Sequence, residues 1–166
     1  MTYSTPRRRA VSTERRALAA LEFAVACPLL VIMLGGAADY GLAQYYRSNL
    51  AFAMEAGAEY AYLKGSAVTN ANIQSVITDA MNLPAGASAN LSFTFTPSSA
   101  PGYYCVTVTG GVPALTNSTS GASCTDGTTA GLYIKVQATY TNTGIMSGFM
   151  ATLSQPITET VLVRVK

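Results

Sequence analysis

The chain reads as an α+β fold: a long N-terminal helix, membrane-spanning at its start and amphipathic further on, packed on a small antiparallel sheet. Three observations predict it. An apolar stretch of membrane-spanning length follows a basic N-terminus; an apolar repeat of three and four residues continues beyond that stretch; and the C-terminal half changes to the two-residue alternation of strands. The 166 residues suit one modest domain plus an anchor. Only 11% of residues are charged, against roughly 25% in an average soluble protein, so an ordinary cytosolic domain is a poor fit.

Residues 1–17 form a basic leader without apolar pattern, expected to be disordered and cytoplasmic. Its Arg7, Arg8, Arg9, Arg15 and Arg16 carry half of the 10 cationic side chains and abut the apolar run directly. That placement follows the positive-inside rule rather than the pattern of a nucleic-acid site. Residues 18–38 are the predicted transmembrane helix, which at the helical rise covers about 31 Å, close to the hydrocarbon thickness of a bilayer. Glu22 lies inside this run, where an acidic side chain is disfavoured by roughly 3 kcal/mol at the bilayer centre. It therefore needs a partner or a purpose. The same segment also fits a secretory signal cleaved after Ala38 or Ala43, which would release a β-rich protein. Glu22 and the length of the apolar run argue against that alternative, as does the helical pattern continuing past both cleavage positions.

Residues 39–166 form the predicted extracytoplasmic domain. Leu42, Tyr46, Leu50, Ala53, Gly57 and Tyr60 recur at helical spacing and carry the first helix to Lys64 and Gly65. Tyr45, Tyr46, Tyr60 and Tyr62 are expected to pack on the sheet rather than form an aromatic binding surface. Pro28 should kink or loosen the helix near Ala24, because it removes a backbone donor and crowds the preceding turn. A second, short helix presents Ile73, Val76, Ile77, Ala80 and Met81 on one face. Four strands follow. "NLSFTFT" alternates Leu91, Phe93 and Phe95 with hydroxyl side chains, and "YYCVTVT", "LYIKVQATY" and "ITETVLVRVK" repeat the β-branched and aromatic signal. Ile134, Val136, Ala138 and Tyr140 share one face, as do Val161, Val163 and Val165; both faces should cover the helix.

Between the second and third predicted strands, "GGVPALTNSTSGASCTDGTTAG" reads as a long polar loop. Of the three cysteines, Cys27 is within the apolar helix, leaving Cys105 and Cys124 as the plausible disulfide in an oxidising compartment; two free thiols are the alternative.

The sequence holds no histidine, which excludes His-based triads, His metal sites and imidazole bases together. Past the helix only Asp79, Asp126 and Glu159 remain as carboxylates, each in a different element, so a paired acid and base is not expected. No CxxC pair, phosphate-cradling glycine loop or EF-hand loop is present. The expectation is a non-enzyme with no catalytic residues, metal, cofactor, nucleic-acid partner or small-molecule substrate.

"RRA" followed by Leu18, Ala19, Ala20, Leu21, Glu22 and Phe23 resembles the processing site of a type IV prepilin. More narrowly, "LEFAVACPLLVIMLGGAADYG" resembles the TadE-like minor pseudopilins of the tight-adherence, Flp-type pilus system. Glu22, Phe23, Pro28 and the trio Asp39, Tyr40 and Gly41 match that family's opening motif. "SNLAFAMEAGAEYAYL" is similar to its Ala-rich helix, and "TYTNTGIMSG" with "ITETVLVRV" to its closing strands. The resemblance implies a pilin-like fold and cleavage by a prepilin peptidase between Ala17 and Leu18, with Glu22 and Phe23 completing the processing site. The peptidase usually prefers Gly where this chain has Ala17, so an uncleaved anchored subunit stays open. Glu22, Pro28, Asp39, Tyr40 and Gly41 are the residues it implies for helix and subunit packing.

The expected function is accordingly a membrane-anchored minor pseudopilin or pilus assembly protein. Its expected partners are the bacterial inner membrane, the prepilin peptidase, other pilus subunits and the assembly platform. The N-terminus would be cytoplasmic and the remainder periplasmic, with incorporation into an extracellular pilus as an extension. The alternative is a membrane-anchored or pilus-tip adhesin that binds through the loop between Gly110 and Gly131.

Overall fold

The structure is a computed structural model that describes residues 7–83, 86–110, 112–142, 144 and 156–165. One helix, α1 (Arg7–Lys64), dominates it. It starts well before Ala17, so part of the leader expected to be disordered is helical. Arg, Ala and Glu are strong helix formers, and extending an existing helix requires no new nucleus. The helix also continues through Ala24 and Pro28 without interruption. A single missing donor removes one bond from a ladder that the neighbouring turns maintain.

The upper half of α1 buries the predicted stripe: Leu50, Ala53 and Gly57 are buried, while Leu42, Tyr46 and Tyr60 are half-buried. The helix ends at Lys64, and Gly65 takes the left-handed φ of +60° that a side chain would resist. After one 3₁₀ turn, Thr69 caps α2 (Asn70–Ala80) by accepting a hydrogen bond from the Asn72 amide at 3.3 Å. The face of α2 predicted to be apolar points into the core, with Ile73, Ile77 and Met81 fully buried. Gly57 lets the two helices approach: a Cβ there would lie 2.5 Å from Ile77 Cγ1.

Among the described residues the sheet has five antiparallel strands: β1 (Leu91–Thr96), β2 (Gly102–Thr109), β3 (Val112–Asn117), β4 (Gly131–Tyr140) and β5 (Ile157–Arg164). β4 is central. On one edge it pairs with β5 from Tyr133↔Arg164 to Tyr140↔Ile157. Its other edge is shared end to end by β1, from Leu91↔Tyr140 to Thr96↔Lys135, and by β2, from Gly102↔Tyr133 to Tyr104↔Gly131. β1 and β2 thus act as one interrupted strand. The intervening residues bulge towards α2, where Asn70 Nδ2 donates to the Ser98 carbonyl at 2.7 Å.

β3 corrects the expectation of a loop after β2. Flanking glycines and Pro113 disguise its alternation, yet a sheet edge tolerates proline, and among the described residues β3 pairs only with β2. The rest of the segment is an ordered turn rather than a free loop. Cys124 N donates to the Thr128 carbonyl at 2.7 Å, and Gly127 N donates to the Cys124 carbonyl at 3.0 Å. Asp126 Oδ1 accepts from both the amide and the hydroxyl of Thr128, which holds its carboxyl below the ordinary range. The Cys105–Cys124 disulfide is formed, with a Cα–Cα distance of 5.6 Å, and fastens this turn to β2.

The core lies between the sheet and the two helices. Ile134, Val136, Ala138, Tyr140, Val163 and Val165 are buried as predicted, and Leu91, Phe93 and Phe95 pack on the same cluster. Tyr46 meets Tyr140 at 5.0 Å between ring centroids. Burial pushes the Tyr140 phenol up, and the Tyr46 hydroxyl beside it adds to the shift. The other tyrosines divide: Tyr60 is half-buried and Tyr62 borders Tyr103, Leu132 and Val165 at the end of the sheet, whereas Tyr45 is 56% exposed, contrary to the expectation that it packs on the sheet. Tyr45 projects from the side of α1 away from the stripe.

Candidate functional site

The lower half of α1 has no sheet to lie on. From Ala17 to Leu34 its side chains are exposed apart from the half-buried Cys27, with Phe23 at 67% and Leu34 at 70%. An apolar surface of this extent in water is costly at about 25 cal/mol per Å², so it calls for lipid or for other helices. Among the described residues, one helix, Ala17–Ala67, is long and apolar enough to cross a membrane.

The predicted processing residues sit within this bare helix. Leu18 and Glu22 are one turn apart on the same face, Phe23 projects beside them, and Glu22 borders a shallow apolar groove with Leu21, Val25 and Ala26. Asp39 occupies a different setting. It lies about 25 Å further along the helix than Glu22 and is 2% exposed, although its neighbours Ala38 and Tyr40 are exposed.

Gly144, in the connector that leaves β4, explains the burial of Asp39. A Cβ on Gly144 would lie 2.9 Å from Asp39 Oδ2, so the missing side chain lets backbone settle on the carboxylate. The structure therefore brings Asp39 to the C-terminal half of its own chain. Tyr40 and Gly41 face outward, and Gly41 has open space around it. Pro28 is on the exposed lower helix, and the disulfided cysteines are in the head, apart from these residues.

Two features of this region escaped sequence reasoning. The Asp39–Gly144 contact joins residues far apart in the chain, and only the isolated acid at the end of the apolar run hinted at it. Phe52 and Leu63 are exposed on the outer side of α1 in line with Tyr45, a pattern that the azimuth of each residue would have revealed.

A single N-terminal membrane-type helix bearing a compact α+β head is the class that this architecture defines. Within it, residues 18–59 match the family model described as TadE-like protein, so the resemblance carried by Glu22, Phe23, Pro28 and the Asp39 trio is shown over that segment. The matched residues contain the bare helix, the Asp39 junction and most of the buried stripe, and stop short of the sheet. Neither a curated protein nor a solved structure matches the chain.

Proposed function

We infer that this chain is a minor pseudopilin of a Tad-type pilus, held in the bacterial inner membrane by the lower half of α1 with its head in the periplasm. A prepilin peptidase would cut between Ala17 and Leu18. The observation that carries this reading is the exposed apolar helix with one carboxylate, Glu22, inside the TadE-like segment. The protein would act by assembly rather than by catalysis.

Cleavage gives Leu18 a free ammonium one turn from the position of Glu22. In a lipid or helix-packed environment, each of these charges is unfavourable alone, and pairing between adjacent subunits compensates both. The pair would then fix the axial register of neighbouring helices. Ala20, Ala24, Gly35 and Gly36 leave room for close helix approach. The intact Cys105–Cys124 bond agrees with an oxidising periplasm.

The N-terminal residue and mass of the protein recovered from membranes test the reading. Leu18 at the terminus supports prepilin processing, Asp39 or Gln44 indicates signal peptidase, and Met1 or Thr2 indicates an intact anchor. Glu22→Ala should leave membrane insertion intact while reducing co-purification with pili at least several-fold. Equal incorporation of the variant and the parent chain would sink the pairing mechanism.

A further inference from the structure

The two outward surfaces of the head carry opposite charge. On α1, Glu55 and Glu59 are exposed one turn apart. At 100° per residue they fall within about 60° of exposed Phe52 and roughly opposite the buried Leu50, Ala53 and Gly57. On the sheet, Lys135 alternates with the buried Ile134 and Val136 and so points away from the helices. The register sets Leu162 opposite Lys135 and Arg164 opposite Tyr133, on that same outer face. The Arg164 guanidinium carbon lies 6.0 Å from the Tyr133 ring centroid, which keeps it there. Glu159 of β5 is on the inner face with Arg47. Among the described residues, Glu55, Glu59, Lys135 and Arg164 are in no ion pair. Each of the two like-charged pairs is unfavourable within the monomer.

The two pairs also match in height and spacing. Tyr46 meets Tyr140 at the lower end of the head, and Tyr62 borders Leu132 at the upper end. Between these levels α1 rises about 24 Å and β4 about 26 Å. Lys135 is therefore level with the turn holding Glu55, and the Tyr133–Arg164 pair is level with the turn holding Glu59. The carboxylates are spaced about 6 Å along the helix and the cations about 6.6 Å along the strands. Beside Lys135, a cavity of about 260 Å³ lies between Pro113 and Leu115 of β3 and Thr160 and Leu162 of β5.

We propose that this outer sheet face docks on a second copy of the chain, with Glu55 and Glu59 of one copy against Lys135 and Arg164 of the next and Phe52 in the cavity beside Lys135. Copies anchored in one bilayer stand at equal height with the same orientation, so the proposal rests on the anchored reading of the lower helix. The contact uses different surfaces of the two copies and therefore repeats into a row. It is separate from the Glu22 pairing with Leu18, which displaces neighbours by one turn, about 6 Å.

The test reconstitutes the full chain in lipid vesicles, checks its retention there, and adds a carbodiimide that joins a carboxylate directly to an amine in contact with it. A dimer linked from Glu55 to Lys135 is expected. These side chains are on opposite faces of one head, so the link forms only between copies. Energy transfer between donor- and acceptor-labelled copies measures association in parallel. Lys135→Glu with Arg164→Glu should weaken it by about tenfold or more, as should Glu55→Lys with Glu59→Lys, and raised salt should weaken the parent contact. Mixing the two variants should restore association to within about twofold of the parent, because each then offers the other an opposite charge. Failure to find the Glu55–Lys135 link in membrane-held chain overturns the proposal and leaves the anchored reading standing. So does a mixture no better than either variant alone, or Glu55 linked to Lys64 instead, which would set helix against helix. A chain that does not stay with the vesicles overturns both.

Discussion

Replacing Gly57 with alanine should destabilise the head, and the same change should become stabilising once Ile77 is trimmed to alanine. The new methyl would sit 2.5 Å from Ile77 Cγ1, 2.9 Å from Ile77 Cδ1 and 3.5 Å from Ile73 Cγ2. Carbon contacts are favourable at about 3.5–4.0 Å, so α2 or the Ile77 side chain must retreat by about 1 Å. Ile77 is fully buried, and a β-branched residue in a helix has essentially one χ1 available. Overpacking of this kind costs about 1–3 kcal/mol, against which alanine returns about 1 kcal/mol of helix propensity over glycine. The single variant should therefore lose about 0–2 kcal/mol. Ile77→Ala alone should lose about 2–5 kcal/mol. In its vacated space the methyl no longer clashes, so adding Gly57→Ala should recover about 1 kcal/mol. The coupling is then about 1–3 kcal/mol. Urea unfolding of the full chain at fixed detergent, read by tyrosine near-ultraviolet circular dichroism, measures all four corners of this cycle. Additivity within about 0.5 kcal/mol would refute the close approach of α1 and α2 at Gly57.

Paired Cys105→Ser and Cys124→Ser replacement should lower stability by about 3 kcal/mol in the loop-entropy model, with proteolytic cuts appearing first between Ser118 and Ala130. A midpoint shift with no change in cleavage pattern would locate the effect elsewhere. The Asp126 carboxyl is held down by the Thr128 hydroxyl and amide, so its contribution is present above the unfolded value near 3.9 and lost as pH falls through the lower folded value. Thr128→Val should move the Asp126 titration up towards that unfolded value in a carboxyl-carbon chemical-shift titration; an unmoved curve would remove the hydroxyl from the account. Phe52→Glu should change head stability by no more than about 0.5 kcal/mol, because the ring is exposed, while lowering recovery of the subunit with pili. Full recovery would clear the outer face of α1 of any part in assembly.

Legibility followed range along the chain. The stripe from Leu42 to Tyr60, the inward face of α2 and the alternation of β1, β4 and β5 were readable, because each is a local period imposed by one buried side. Where a local signal was broken, reading failed: Pro113 and the neighbouring glycines concealed β3, whose edge position alone makes the proline acceptable. Tyr45 was misplaced because helical spacing was counted without asking which side of α1 it occupies. Non-local features gave almost no warning. The burial of Asp39 depends on a glycine beyond β4, and the common height of Glu55 and Lys135 on opposite faces of the head depends on how α1 lies on β4. Cys105 and Cys124 are the exception, because elimination of Cys27 left one pair to form.

The two halves of α1 are linked by more than continuity of backbone. At an ideal 100° per residue, Leu34, Tyr45, Phe52 and Leu63 fall within about 20° of one another, and all four are exposed. This line is roughly opposite the stripe of Leu50, Ala53 and Gly57 that rests on α2 and the sheet. A discontinuous ridge of spaced apolar side chains thus runs from the membrane-type segment onto the outside of the head. A head built to be released after Ala38 would have no use for a ridge in register with the segment it leaves behind. A subunit that packs by its helix needs both parts aligned. The Asp39–Gly144 contact sits where the helix leaves the sheet and ties the emerging helix to the connector beyond β4. The ridge and the contact are features that the proposed retention of the helix, with its Leu18 terminus and Glu22 pairing, would use.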